Sequence, residues 1–321
     1  MIARTLVFLA LTGAACAQIS GPVMGYLPDN GALRTLYGIP GSGWVGGAVA
    51  PDRALSLVAM SPDQRRALAI AADTGALMLL TPATGVTAHV NGAASGANRI
   101  VFSPSGTAAA LWFSASDHIQ VVSGLAAAPS VRDIDASFLG GAPAGLAVSD
   151  DGQWVAGAWS SNIYAFGPAG ASALPVAGPA EALCFFHGRA DVAVITASQV
   201  VIVSDIGGAV VPNVIYNKPN DTPDTAPVQV AVGFTVSFDN RYLVVAGNLV
   251  ALSTFDLTAG SSVGVNCNCS PSGLDGMGGS LFRVTGVKDG ALKVFEASSN
   301  DVWFVPLAAP VTAGATAGGQ Q

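Results

Sequence analysis

Glutamate and lysine are almost missing from this chain. Glu181 and Glu296 are the only glutamates, Lys218, Lys288 and Lys293 the only lysines, and charged residues make up 10% of the whole. These are the residues that give surface helices their solvated faces, so no amphipathic helix of useful length can be read. Histidine is confined to His89, His118 and His187. There is no Gly-x-Ser-x-Gly, no phosphate-binding glycine loop, no Cys-x-x-Cys-His and no carboxylate-rich calcium loop, which removes the motif-bearing enzyme classes from first consideration. The uncharged stretch from Val155 to Ala180 is interrupted by Gly, Pro, Ser and Asn, so the mature chain carries no transmembrane segment. A pI near 4.7 and a formal net charge of −7 disfavour nucleic acid and anionic lipid as partners.

What is present points to β-structure with many turns. Hydrophobic residues reach 51%, with 39 Gly and 19 Pro, and Val, Thr and aromatics recur in short runs. The N-terminus has the form of a secretory signal: Arg4, an apolar run from Thr5 to Ala14, and Ala15-Cys16-Ala17 as a small-x-small cleavage site. Residues 1–17 are expected to be removed, placing the protein in the periplasm or outside the cell. Lipidation at Cys16 is the rival reading, weakened by Gly13 where such signals carry Leu. The remaining Cys184, Cys267 and Cys269 are odd in number, so at least one thiol is unpaired or bonded to another molecule.

From Leu55 onward one unit recurs. An apolar run is followed by a tight turn, a second run, a polar turn and a third run. The first turn is Ser61-Pro62-Asp63, then Ser103-Pro104-Ser105-Gly106, then Ser149-Asp150-Asp151-Gly152. Weaker copies stand at Phe186-His187-Gly188, at Ser237-Phe238-Asp239-Asn240 and at Thr285-Gly286-Val287-Lys288-Asp289-Gly290. Successive copies are 37 to 51 residues apart, the period of propeller blades. First strands are expected at Leu57–Met60, Ile100–Phe102, Leu146–Val148, Leu183–Phe185, Val232–Val236 and Leu281–Val284, none of them carrying an acid.

These turns, each followed by an apolar strand, resemble the WD-repeat-like β-propeller superfamily, with the TolB-like and YVTN-type repeats of exported bacterial proteins the nearest groups. The resemblance covers most of residues 55 to 305 and implies a fold rather than an activity. The expected architecture is an all-β propeller of four-stranded blades within residues 18–310, followed by a flexible tail at 311–321. Six blades are favoured, with the hairpin around Asp29-Asn30-Gly31 completing the last blade and closing the ring. The count becomes seven if Gly21 to Val49 forms most of a blade itself.

In such a ring the turns between second and third strands share a face with the connections between blades. Polar residues at those turns are therefore the candidates for ligand or partner binding: Asp73, Asp117, His118, Asn162, Gln199, Asn248, Asn300 and Asp301. Tight hairpins favour Asn, Asp and Ser in any case. Val211–Gln229 and Ser261–Gly279 read as long insertions on that face. Cys267 and Cys269 are weak metal candidates, since two cysteines without a nearby His or third Cys make an incomplete ligand set. A bond confined to the loop, or an unreactive pair, accounts for them better. The functional expectation is an exported, monomeric, noncatalytic binding or scaffold protein that needs no cofactor and recognises a protein or small ligand. The alternative is a propeller enzyme, a hydrolase or lactonase or a cofactor-dependent oxidoreductase, with its site at the channel mouth.

Overall fold

The structure is a computed structural model. It describes residues 21–29, 31–160, 162–217, 230–247, 252–285 and 292–306; the expected signal segment and tail lie outside these. The strands form seven separate antiparallel sheets. Sheet 1 is β1 (Val23–Asp29), β2 (Ala32–Ile39) and β3 (Ser42–Val49). Sheet 2 is β4 (Leu55–Met60), β5 (Ala67–Ala71), β6 (Leu77–Thr81) and β7 (Val86–His89). Sheet 3 is β8 (Arg99–Phe102), β9 (Ala109–Phe113), β10 (His118–Ser123) and β11 (Ser130–Asp135). Sheet 4 is β12 (Gly145–Val148), β13 (Val155–Trp159), β14 (Asn162–Gly167) and β15 (Gly170–Ala173). Sheet 5 is β16 (Ala180–Phe185), β17 (Val192–Thr196), β18 (Gln199–Ser204) and β19 (Val211–Asn217). Sheet 6 is β20 (Ala231–Val236), β21 (Tyr242–Gly247), β22 (Leu252–Asp256) and β23 (Ser261–Val265). Sheet 7 is β24 (Gly273–Gly276), β25 (Leu281–Thr285), β26 (Leu292–Glu296) and β27 (Asp301–Val305).

Burial explains the sequence pattern. The second strands β5, β9, β13 and β17 are buried at every position, because each is covered on both faces and on both edges. Such strands read as continuous apolar runs rather than alternations. The fourth strands β15 and β23 are almost wholly exposed. The core is divided into seven apolar clusters, one at each interface between neighbouring sheets. Leu146, Val148 and Trp159 of sheet 4 meet Ala110, Trp112 and Val121 of sheet 3. Leu36 and Val45 of sheet 1 meet Val294 and Val305 of sheet 7, and Leu33 meets Leu55 and Val58 of sheet 2. This is a seven-bladed β-propeller.

Several expectations are corrected. There are seven sheets rather than six, and the N-terminal hairpin does not complete the last one. It recruits Ser42–Val49 into a sheet of its own, a strand concealed by its glycines. Sheet 7 has four strands of its own because the last repeat begins one strand earlier than its apolar runs suggest. Gly273–Gly276 is its first strand and Leu281–Thr285 its second. The two supposed insertions largely dissolve: Val211–Asn217 and Ser261–Val265 are fourth strands, and residues 218–229 lie outside the described residues.

The Ser-Pro-Asp turn is a structural device. Ser61 Oγ donates to Asp63 Oδ1 at 2.5 Å and accepts from Arg66 N at 3.1 Å. Ser149 repeats this with Asp151 and Trp154, and Ser237 with Asp239 and Tyr242. The hydroxyl thus satisfies a carboxylate and a backbone N–H at the mouth of a buried hairpin. These first turns also join one another around one end of the molecule. Ser105 N donates to Asp150 Oδ1 and Gly188 N to Asp150 Oδ2, both at 2.8 Å. Asn240 Nδ2 donates to His187 O, and Phe238 N to Gly279 O. Gln64 Nε2 then reaches Gly276 O at 3.1 Å, linking sheet 7 back to sheet 2.

Candidate functional site

Six first strands, β4, β8, β12, β16, β20 and β24, surround a central cavity of about 580 Å³, joined by Pro28 of sheet 1. Four charged side chains line it: Arg99, Glu181, Asp275 and Arg283. The expectation that first strands lack acids therefore fails. Glu181 sits before the apolar part of β16, and Asp275 lies on the first strand that the sequence reading took for an insertion. Each of the four is held by the protein. Arg99 donates to the carbonyls of Pro143 and Ala144 at 3.2 and 3.4 Å, and burial lowers its pKa. Glu181 accepts from Ala231 N at 2.7 Å. Arg283 pairs with Asp275 and donates to Tyr26 O. Apart from the Asp275–Arg283 pair, which lies within sheet 7, these bonds run between neighbouring sheets and bind the inner ring together.

The predicted polar residues do not converge. Asp73 is mostly exposed and pairs with Arg53 at 3.3 Å. Asn162 is exposed at the start of β14, and Gln199 Nε2 donates to Asn217 Oδ1 at 3.1 Å. Asn248 lies outside the described residues. Asn300 precedes and Asp301 opens β27, the fourth strand of sheet 7, at the opposite end from the others, because that repeat was read one strand out of frame. Cys267 and Cys269 are bonded to each other, and no group of three metal-ligating side chains occurs among the described residues. Cys184 is a buried free thiol, its pKa pushed well up by burial.

Asp117 and His118 alone fall into a built surface. They open β10, and the connection from β11 to β12 folds over them through a 3-10 turn at Ser137–Leu139. Asp117 holds a left-handed φ of 48° and accepts from Gly141 N at 3.2 Å. Trp159 Nε1 donates to Gly141 O at 2.9 Å, so the loop is anchored from both sides. Asp135 accepts from Ser137 N, and hydrogen bonding from the Ser137 side chain first, then from its backbone N–H, lowers the Asp135 pKa. Asp133 accepts from Gln120 and His118 at 2.8 and 2.9 Å, which lowers its pKa in that order of importance. On this support stands Phe138, 64% exposed, with its ring edge-on to Tyr164 and Phe166 at 6.3 and 6.4 Å. Those rings continue inward through Trp159 to Trp112. The result is an exposed aromatic over an aromatic stack, on a loop anchored by the carboxylates of Asp117 and Asp135. The sequence carried a signal for it, a Phe-Leu pair outside any strand between Ser137 and Gly140-Gly141.

No family model matches the chain, and no curated protein is similar to it in sequence. Solved structures do resemble it. Hydrazine synthase of Kuenenia stuttgartiensis matches with a TM-score of 0.51 at 14% identity, over 93% of this chain and 99% of that one. The dihydro-heme d1 dehydrogenase NirN, in complex with DHE, matches with a TM-score of 0.51 at 15% identity, over 79% of this chain and 55% of that one. The β-propeller domain of Swd1 from Myceliophteria thermophila gives 0.46 at 12% identity, over 62% of this chain and 65% of that one. At these identities the likeness to the first two is one of fold alone.

Proposed function

We propose that this is an exported, noncatalytic recognition propeller. It binds a protein or small ligand on the face formed by the second-to-third-strand turns and the connections between sheets. The carrying observation is Phe138: a large apolar side chain held in solvent by a loop fixed at Asp117, Asp135 and Trp159. A preformed exposed aromatic loses little conformational freedom on binding, and such side chains dominate recognition surfaces. Asp117, Asp133 and Asp135 around it favour a partner that offers an apolar group beside positive charge.

Export follows from the signal-like residues 1–17. An enzymatic reading rests on the central cavity with Arg99, Glu181, Asp275 and Arg283. It is the weaker reading because each of these groups already bridges two strands of the protein. The two readings separate experimentally. Phe138→Ala removes a side chain with little burial and should leave folding intact while abolishing retention of a partner from envelope extract. Retention unchanged in that variant, or lost only when Glu181 is replaced by Gln, would move the site to the cavity.

A further inference from the structure

The disulfide between Cys267 and Cys269 joins no two elements of the fold. Both cysteines lie on the connection from β23 to β24, with only Asn268 between them. Closing so short a loop removes little entropy from the unfolded chain, so the cross-link adds little to stability. Other bonds already hold the connection. Lys293 of β26 donates to Cys267 O and Asn268 O at 2.9 and 2.8 Å. Asn268 N donates to Asn266 Oδ1 at 2.8 Å, and Ser272 N donates to Thr285 O at 2.8 Å.

The two cysteines stand in different surroundings. Cys267 is buried among Leu274, Phe282 and Phe295, whereas Cys269 packs on the rim of that cluster and is partly exposed. Asn266, Asn268 and Ser270 beside them are exposed, so a thiol arriving from solvent meets Cys269 first. The sulfur that must then leave is that of Cys267, in an apolar setting where a thiolate is costly. Burial alone pushes the pKa of the Cys184 thiol well up. At Cys267 the fold supplies a positive charge. Lys293 is 1% exposed, donates to two carbonyls of this connection, and has Nζ 4.7 Å from the centre of the Phe304 ring. No carboxylate pairs with it among the described residues. A buried ammonium without an anion is costly to keep, and opening the disulfide creates an anion beside it.

We propose that the Cys267–Cys269 bond is a thiol–disulfide exchange site for dithiol substrates, in which Cys269 is the sulfur attacked and Lys293 the charge that stabilises Cys267 as it leaves. One thiolate of the dithiol attacks Cys269 Sγ. The bond to Cys267 breaks, and its electron pair stays on Cys267 as a thiolate. The second thiolate of the dithiol then attacks the substrate sulfur of the mixed disulfide and releases Cys269 as a thiolate. The dithiol departs as a disulfide, oxidised by two electrons; the cysteine pair is reduced by two, and the protons of the dithiol pass to solvent or to the two cysteines. One bond is consumed per chain. The connection from β23 to β24, like the one from β11 to β12 that carries Phe138, joins a fourth strand to a first, so both lie at the same end of the ring. The exchange site does not depend on what binds at Phe138.

Reduction of the folded full-length protein by dithiothreitol at neutral pH, read by acid quench, alkylation and peptide mass, tests this. The bond is expected to open at least tenfold faster than that of oxidised glutathione under the same dithiol. Opening at an equal or lower rate would overturn the proposal. Lys293→Met should slow the opening at least fivefold. A purely structural lysine acts in the opposite sense, because its loss loosens the connection and exposes the bond, so an unchanged or faster rate in that variant overturns the role given to Lys293. Single substitutions show which sulfur is attacked and do not require the lysine variant to fold. With dithiodipyridine, Cys269 of a Cys267→Ser protein should form a mixed disulfide at least tenfold faster than Cys267 of a Cys269→Ser protein. Equal rates, or the reverse order, would overturn the assignment of Cys269 as the sulfur attacked.

Discussion

At the scale of single residues, the repeated serine does more for this protein than any of its histidines or cysteines. Ser237 Oγ is buried, donates to Asp239 at 2.6 Å and accepts from Tyr242 N at 2.8 Å. Burial alone would raise the Asp239 pKa, but the bonds from Ser237 and Arg241 N lower it overall. Ser237→Ala strands two polar groups, at a cost of roughly 1–3 kcal/mol. Urea unfolding should show that loss, and a change below about 0.5 kcal/mol would mean that water replaces the hydroxyl. His187 sits in the same ring of turns, 4.0 Å from Asp150, with its ring tilted against that of Phe238. Burial lowers its pKa, against the opposing pull of Asp150 and Asp239. With the folded value below the unfolded 6.5, the unfolded chain takes up the proton first. Its contribution to stability is therefore present above pH 6.5 and lost as pH falls toward the folded value. Melting temperatures compared between His187→Gln and the parent, from pH 7.5 down to 5.5, should show a shallower acid slope in the variant. Lys293 is fully buried, donates to Cys267 O and Asn268 O at 2.9 and 2.8 Å, and stands over Phe304. Lys293→Met keeps the bulk but removes the donor, and should speed hydrogen exchange through residues 266–272.

Elements show what could be read from the chain and what could not. Strands with two covered faces declared themselves as apolar runs, and Ala109–Phe113 and Tyr242–Gly247 stand where their residues place them. β3 and β24 did not. Ser42–Val49 contains three glycines and Gly273–Gly276 two, and glycine carries no burial signal and disfavours isolated strands. Their strand state is imposed by neighbours. Gly233 of β20 shows why: a Cβ there would lie 2.5 Å from Leu274 N, so the inner strands approach too closely for larger residues. Gly233→Ala should destabilise by about 1–3 kcal/mol through forced separation of β20 and β24. A neutral result in thermal unfolding would show that the inner ring can breathe. The candidate site was half legible for a similar reason. Asp117 and His118 announced themselves as a polar turn, whereas Phe138 depends on a connection whose path over sheet 3 is set by bonds to Gly141 that no local pattern encodes.

For the whole molecule, the count of sheets was the property least visible in sequence. The Ser-Pro-Asp turn marks first strands, and sheet 1 has no first strand among the described residues, so it carries no such turn. Counting turns gives six, but the sixth, at 285–290, follows the second strand of sheet 7; the first turn of that sheet is at 277–280, and it joins the other five around one end. The seventh sheet is found only through its packing on both neighbours. The two ends of the ring then differ in character. One end is knit by these turns. The other carries the exposed Phe138 and is the face proposed for recognition. Phe238, 56% exposed on the knit end, supplies a matched control for Phe138 at 64%. The deciding measurement is capture from envelope extract by the parent, Phe138→Ser and Phe238→Ser proteins, each first shown to melt as the parent does. The account predicts that the parent and Phe238→Ser retain the same partner while Phe138→Ser loses it at least tenfold. Equal retention by all three, or loss confined to Phe238→Ser, would contradict the assignment of the recognition face.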